Sequence, residues 1–164
     1  MKNKKYKHLF NEIESYYSEK INSYGNTPKG VDWKDKESQE IRFEQLLKVV
    51  DTEKRFTISD LGCGYGYLFE YLSKKTNNFY YFGYDISEEM IKRANELYKR
   101  HHNRRFIINN KINEYSDYSV ASGIFNVRLY FEDEVWIDYI LNVLNDLNNM
   151  SRKGFSFNCL TKYS

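Results

Sequence analysis

Ile58-Ser59-Asp60-Leu61-Gly62-Cys63-Gly64-Tyr65-Gly66 is the most informative segment of this chain. Its apolar start predicts a buried β-strand that ends on an acid, and its three alternate glycines predict a tight turn before a helix. Glycine lets a backbone turn sharply and lets a ligand lie against bare peptide groups. The segment therefore predicts a ligand-binding turn at the carboxyl end of a strand.

A second acid-ended strand follows the glycine turn. Residues 79–84 are rich in aromatic side chains and lead into Asp85, which lies 25 residues after Asp60. In parallel sheets, two acid-ended strands with a glycine turn between them mark a nucleoside-binding crevice, where the second acid accepts hydrogen bonds from ribose hydroxyls. We therefore expect a ligand that contains a nucleoside.

Strands and helices alternate along the rest of the chain. The apolar runs predict strands at residues 56–59, 79–84, 106–108, 119–122 and 155–160, and helices at residues 67–75, 87–100 and 135–147. Such alternation indicates parallel strands with right-handed crossovers and helices on both faces of the sheet. The sequence therefore predicts a doubly wound, mostly parallel α/β sheet, with its ligand at the carboxyl ends of the strands.

The N-terminal third has a different organisation. Apolar residues recur at helical spacing over residues 6–21 and again over residues 36–51, and turn-forming residues at 25–30 separate the two patterns. We predict that residues 1–52 form a helical cap or lid and that residues 53–164 form the ligand-binding domain.

Composition excludes several classes of protein. A net charge of +2 over 164 residues argues against a dedicated nucleic-acid binder, which shows a basic excess. The two cysteines, Cys63 and Cys159, indicate neither a disulfide framework nor a zinc site, so no metal is expected. No apolar run reaches membrane-spanning length, and no signal peptide is evident. These features predict a reduced, cytoplasmic protein without a membrane partner.

The residues leave two nucleoside cofactors to compare. A nicotinamide site has the pattern G-x-G-x-x-G, and here Tyr67 stands where the third glycine would fall. Asp60 also fits poorly beside an anionic pyrophosphate, whereas it fits the ammonium of S-adenosylmethionine through a charge-assisted hydrogen bond. S-adenosylmethionine is therefore the favoured cofactor, and an NAD-dependent enzyme stays open as an alternative.

Two motifs carry a family resemblance. Residues 60–66 resemble the first motif of class I (Rossmann-like) S-adenosylmethionine-dependent methyltransferases, and residues 83–94 resemble the second. The resemblance extends over residues 56–160. It implies a core of about five strands in the order 3-2-1-4-5 and a methyl transfer from S-adenosylmethionine.

The resemblance also implies a set of site residues. The cofactor-binding candidates are Asp60, Gly62, Cys63, Gly64, Tyr65, Gly66, Asp85, Ile86, Asn110, Ser122 and Gly123. The candidates on the substrate side are Trp33, Phe125, Asn126 and Arg128. Asn110 stands where relatives carry an acid that contacts the adenine amino group. No residue is identified as a general base, and the catalytic residues stay unknown.

The chain departs from the family pattern after the fifth strand. A complete sheet of this class has two further strands in a C-terminal hairpin, and no residues remain here to form them. An uncovered strand edge invites pairing, so three explanations stay open: a truncated chain, a naturally shortened member of the family, or a homodimer over the strand-five edge. We predict an enzyme that methylates a small molecule. The alternative is a module that binds S-adenosylmethionine or a nucleoside without turnover.

Overall fold

The computed structural model describes residues 6–160 and shows a five-stranded sheet with helices on both faces. The strands are β1 Phe56–Leu61, β2 Phe79–Asp85, β3 Arg104–Ile108, β4 Ser116–Ala121 and β5 Ser151–Phe157. The helices are α1 Lys7–Tyr24, α2 Lys36–Leu46, α3 Tyr67–Ser73, α4 Glu88–Leu97 and α5 Asp133–Met150, with 3₁₀ turns at Pro28–Val31 and Leu47–Val49.

The sheet has the predicted topology. Its strands lie in the order β3-β2-β1-β4-β5, and every neighbouring pair is parallel. The chain turns one way from β1 through β2 to β3, and the other way from β4 to β5. The direction of winding therefore reverses between β1 and β4, and a ligand crevice forms at such a reversal. The doubly wound fold expected from the sequence is confirmed.

Two apolar layers enclose the sheet. Phe56 and Ile58 of β1 point into a layer shared with α2, α3 and α4, where Phe69 is fully buried. Leu61 points into the opposite layer, which contains Leu147 of α5. This division follows from the alternation of side chains along a strand, which places successive residues on opposite faces. Asp60 shares its parity with Phe56 and Ile58, so the fold carries a carboxylate into an apolar layer.

Helix α1 fills a gap in the second layer. The connection between β3 and β4, residues 109–115, contains no helix. Leu9 and Ile13 of α1 pack there with Tyr84 and Ile112, and all four side chains are buried. The N-terminal helices therefore share the core of the sheet while they cover the carboxyl ends of its strands.

Some element boundaries differ from those expected. Strand β5 begins at Ser151 rather than at residue 155, directly after α5. Its first residues are Ser151, Arg152 and Lys153, so no apolar alternation marks the start of this edge strand. The second helix is also shorter, since α2 ends at Leu46 and continues as a 3₁₀ turn.

Candidate functional site

The glycine turn joins β1 to α3 with a backbone that only glycine adopts easily. Gly62, Gly64 and Gly66 have φ angles of 78°, 55° and 86°. The N–H groups of Gly62 and Cys63 both donate to the carbonyl oxygen of Tyr84, at 2.7 and 2.9 Å. A methyl group at Gly62 would lie 2.1 Å from Cγ2 of Ile124. The turn is therefore closely packed and fixed against the end of β2.

Asp60 is a buried carboxylate that lacks a full set of partners. Its side chain is 2% exposed, and its Oδ2 accepts a hydrogen bond from the hydroxyl of Tyr81 at 2.5 Å. Its Oδ1 has no hydrogen-bond partner among the residues that the structure describes. Burial raises the pKa of Asp60, the hydrogen bond from Tyr81 lowers it and the nearby charge of Asp85 raises it, and together these effects bring the pKa to about 7. A cation beside Oδ1 would satisfy this oxygen and stabilise the charged form.

Asp85 lies at the end of β2, as the sequence predicts. Its Oδ2 accepts from the N–H of Gly64 and its Oδ1 from the N–H of Ser87, both at 2.9 Å. Burial raises its pKa, although these backbone hydrogen bonds act in the opposite direction. The two N–H groups fix the orientation of the carboxylate, and each oxygen keeps a lone pair for a further donor such as a ribose hydroxyl.

Two adjacent cavities lie above the glycine turn. The first has a volume of about 60 Å³ and is lined by both Asp60 and Asp85. The second has a volume of about 50 Å³ and is lined by Ile86 and by Asn110. The residues common to both linings are Tyr17, Gly62, Asp85 and Ile124. Asp85 therefore lies at the junction of the two cavities.

The second cavity has the features of a base pocket. Ile86 and Tyr139 supply apolar walls, and Asn109 and Asn110 supply polar groups at the end of β3. The backbone of this loop is held to the end of β2, because the N–H of Asn109 donates to the carbonyl oxygen of Asp85 at 2.9 Å. An asparagine oxygen here can accept from an exocyclic amino group. The predicted adenine contacts of Ile86 and Asn110 stay predictions.

The loop after β4 closes the first cavity from the other side. Ser122 and Gly123 both line it. Asn158 holds this loop, since its Oδ1 accepts from the N–H of Gly123 at 2.7 Å and its Nδ2 donates to Ser122 Oγ at 3.3 Å. Trp33 lies over Gly123, where an added methyl group would be 3.1 Å from Cζ2 of the indole. These contacts bring the cap against the strand ends.

The other substrate-side candidates occupy different surroundings. Asn126 lies next to Gly123, and its Oδ1 is buried with no hydrogen-bond partner among the described residues. Phe125 packs in the core against Tyr139, outside the two cavity linings. Arg128 is exposed and forms an ion pair with Asp133 at the start of α5. Their contacts with a substrate stay predictions.

Three residues of the glycine motif have distinct environments. Cys63 and Tyr65 line the first cavity, and burial raises the pKa of both, that of Tyr65 to about 12. Both side chains are therefore protonated at neutral pH. Gly66 lies outside both cavity linings, and a methyl group there would be 2.8 Å from the ring of Phe106. Its glycine lets α3 pack closely against β3.

Several residues of the cavities could not be recognised from the sequence. Tyr17 of α1 lines both cavities, Gln39 of α2 lines the first, and Ile124 lies against Gly62. Tyr17 fits a helical pattern typical of core residues, and Gln39 belongs to no motif. Only the packing of the cap on the sheet brings these side chains to the crevice.

The described part of the chain offers no clear general base. The three histidines, His8, His101 and His102, lie outside both cavity linings. His8 is 67% exposed and pairs with the hydroxyl of Tyr130 at 2.9 Å. Burial raises the pKa of Tyr17, so its hydroxyl is protonated at neutral pH. Within residues 6–160, no cluster of three or more acidic, histidine or cysteine side chains could hold a metal ion.

Comparison with known proteins agrees with this geometry. A family described as a methyltransferase domain matches residues 58–154. The Mycobacterium tuberculosis protein named "Putative methyltransferase Rv1506c" is 47% identical over 118 residues, which are 72% of this chain and 71% of that protein. The two chains are therefore nearly equal in length.

Solved methyltransferases share the fold. NodS, an N-methyltransferase of Bradyrhizobium japonicum solved with S-adenosyl-L-homocysteine, has a TM-score of 0.56 at 18% identity, over 79% of this chain and 66% of NodS. Phosphoethanolamine N-methyltransferase 1 of Haemonchus contortus, solved with phosphoethanolamine and S-adenosylhomocysteine, has a TM-score of 0.57 at 16% identity, over 84% of this chain and 30% of that protein. This chain spans less than two thirds of either solved protein.

Proposed function

The chain belongs to the class I S-adenosylmethionine-dependent methyltransferase family, and from that premise we propose that it methylates a small-molecule acceptor. The observation that carries the proposal is the pair of acids in one crevice. Asp60, with an unpartnered Oδ1, and Asp85, oriented by two N–H groups, both line the first cavity beside the glycine turn.

The residues present fit the donor. Asp60 offers a buried anionic oxygen to the ammonium of the methionine part, and Asp85 offers two oxygens to the ribose hydroxyls. The second cavity, with Ile86 and Asn110, has the mixed apolar and polar character that an adenine requires. The nicotinamide alternative is set aside, because the family match and the anionic first cavity both favour the sulfonium donor.

Catalysis by this chain rests on orientation and exclusion of water. S-adenosylmethionine supplies a methyl group that is already activated by its positive sulfur. An acceptor held in line with the donor would take the methyl group, the carbon–sulfur electron pair would stay on sulfur in S-adenosylhomocysteine, and any proton lost by the acceptor would pass to solvent. Trp33 lies over Gly123 and Ile124 lies against Gly62, so both would help to exclude solvent from the first cavity, and such an environment lowers the barrier of a displacement reaction.

The acceptor side favours a small molecule. Helices α1 and α2 cover the crevice and contribute Tyr17, Gln39 and Phe43 to its walls, which leaves little room for a polynucleotide or a folded protein. The net charge of +2 also gives no strong field for nucleic acid. Asn126 lies outside both cavity linings, but its Nδ2 is close to Gly123 and its buried Oδ1 has no partner among the described residues, so it is a candidate to orient an acceptor beside the loop after β4.

The proposal is tested by turnover. The protein is incubated with methyl-labelled S-adenosylmethionine and fractionated metabolite extracts, and mass spectrometry follows the labelled products and S-adenosylhomocysteine. We expect both to form together, and to fall at least tenfold with Asp60→Asn, since a hydrogen bond to a charged group contributes about 1.5–3 kcal/mol. Tight binding of the donor without any methylated product would favour a binding module instead.

We also propose that two copies pair along β5 and that the protein acts in the cytoplasm. Strand β5 is the last strand of the sheet in the described chain and pairs only with β4 there. Phe157, the last residue of β5, and Leu160, three residues beyond it, are exposed. An unpaired strand edge with exposed apolar side chains is a template for a second chain, and an edge can pair with its own copy about a two-fold axis.

The proposed place in the cytoplasm has separate support. Both cysteines are free thiols, which suits a reducing compartment. None of the described helices is long and apolar enough to cross a membrane.

A further inference from the structure

Gln39 is a buried polar side chain without a complete set of partners. It lies on α2 of the cap, is 4% exposed, and its Oε1 has no hydrogen-bond partner among residues 6–160. It lines the same cavity as Asp60, whose Oδ1 also lacks a partner. Buried polar atoms are almost always hydrogen-bonded. Two unpartnered oxygens in the walls of one cavity therefore point to a ligand that donates hydrogen bonds.

The position of Gln39 is fixed by its neighbours. Phe43, one turn further along α2, is 3% exposed and packs against Tyr67 with ring centroids 5.9 Å apart. The hydroxyl of Tyr67 donates to Glu40, the residue next to Gln39. Tyr67 is the first residue of α3 and directly follows the glycine turn. The amide of Gln39 is thus anchored relative to the donor-binding turn.

The two oxygens select the kind of ligand group. Both are hydrogen-bond acceptors, and an ammonium carries three donors and no acceptor. No lysine or arginine side chain lines this cavity among the described residues. A neutral amide beside Asp60 adds an acceptor without adding a second negative charge, which would repel the first. These features fit a primary ammonium rather than a carboxylate.

We propose that Gln39 and Asp60 together hold the α-ammonium of the methyl donor, one from the cap and one from the sheet. This inference rests on the proposed function. It assigns a donor-binding role to a cap residue outside the glycine and acidic motifs. Because Gln39 belongs to α2, donor binding would also tie the cap to the sheet.

Calorimetry with matched ligands tests the proposal. The affinities of S-adenosylhomocysteine, of its analogue without the α-amino group, and of its analogue without the carboxylate are measured on the full chain. Gln39→Met preserves length and helix propensity, and Gln39→Leu serves as a second variant. Gln45→Met is the control, since Gln45 is an exposed residue of the same helix whose side chain pairs with Lys48. Thermal unfolding verifies that each variant folds.

The expected result is selective. Gln39→Met should lower the affinity for S-adenosylhomocysteine and for the analogue without the carboxylate by about tenfold. It should change the affinity for the analogue without the amino group by less than about twofold. Gln45→Met should change none of them. Equal losses for all three ligands, no loss at all, or a loss that follows the carboxylate would each overturn the proposal. If the unaltered protein fails to bind S-adenosylhomocysteine, the proposed function itself is wrong.

Discussion

The hydroxyl of Tyr81 donates to Oδ2 of Asp60 at 2.5 Å, while Oδ1 of the same carboxylate, which lines the first cavity, has no partner among residues 6–160. Tyr81 and Ile58 are register partners on β2 and β1, so the tyrosine ring lies beside the strand that carries the acid. The pair therefore fixes one oxygen of Asp60 and leaves the other for a ligand.

The affinity for S-adenosylhomocysteine should rise with pH. The pKa of Asp60 is about 7, so its ionised fraction grows from about one tenth at pH 6 to about nine tenths at pH 8. Since the ammonium of the ligand prefers the ionised carboxylate, we expect an affinity gain of about tenfold over this range, measured by calorimetry. Asp60→Asn should lower the affinity and shrink the rise. A variant that keeps the full pH profile would contradict this role.

Without ligand, Asp60 should make the free energy of unfolding fall as pH rises, whereas the affinity for S-adenosylhomocysteine rises. Burial raises its folded pKa to about 7, above the value of about 3.9 in an unfolded chain. The folded state therefore binds more protons between these values, and the contribution of Asp60 to stability is lost as pH rises from about 4 through 7. Asp60→Asn should flatten this decline in urea-unfolding series.

Asp117 gives the matched control for stability. Partial burial alone would raise the pKa of Asp117, but hydrogen bonds from Thr57 and the charge of Lys153 outweigh it and lower the pKa. A lowered pKa contributes stability that is present at neutral pH and lost in acid. Asp117→Asn should therefore destabilise the protein at pH 7 and leave donor affinity unchanged. Shifts of the free energy of unfolding at pH 7 in the same direction for Asp60→Asn and Asp117→Asn would contradict these opposite pKa effects.

Gly62→Ala should abolish tight donor binding. Gly62 has a φ of 78°, and the new methyl group would lie 2.1 Å from Cγ2 of Ile124, so the turn has to move. Gly25→Ala is the control, because Gly25 also has a positive φ, 63°, but open space around it. Each substitution should cost about 1–3 kcal/mol of folding stability from backbone strain. Only Gly62→Ala should lower the affinity for S-adenosylhomocysteine. Equal affinities of the two variants would contradict the assignment of the glycine turn to donor binding.

Trp33 should report donor binding by fluorescence. It lines the first cavity, and the guanidinium of Arg42 lies 4.9 Å from its ring centroid. The other tryptophan, Trp136, is buried in the core near Tyr139. S-adenosylhomocysteine should alter the emission of the unaltered protein and of Trp136→Phe, and should leave Trp33→Phe unchanged. The reverse pattern would show that Trp33 does not lie at the donor site.

A charge on the β5 edge should disrupt the proposed dimer. Phe157 is 39% exposed at the end of β5, and Phe157→Lys places a cation at that edge. Sedimentation equilibrium should show dimers for the unaltered protein and monomers for the variant. Tyr115→Lys is the control, since Tyr115 is 62% exposed in the loop before β4. Monomers of the unaltered protein at high concentration would rule out this pairing.

The topology and the two acids could be predicted because their signals are local. Asp60 and Asp85 each lie at the carboxyl end of an apolar strand, and Gly62, Gly64 and Gly66 form one continuous turn after the first. The start of α4 is also a local signal, since Ser87 is its N-cap and the hydroxyl of Ser87 accepts from the N–H of Met90. These features depend on neighbours within a few residues, so a single sequence contains them.

The rest of the site depends on contacts between distant segments. Gln39 and Tyr17 reach the crevice only because α1 and α2 pack across the strand ends, and neither helix carries a motif that fixes this docking. Phe125 follows β4 closely, yet the chain turns its ring into the core beside Tyr139. The start of β5 could not be predicted because an edge strand needs little apolar alternation.

A crystal structure with S-adenosylhomocysteine tests the proposed donor site most directly. The α-ammonium should lie within hydrogen-bonding distance of Asp60 Oδ1, and the ribose hydroxyls should contact the carboxylate of Asp85. The adenine should lie between Ile86 and Asn110. Ligand density away from the glycine turn, or a ribose that leaves Asp85 uncontacted, would contradict this site.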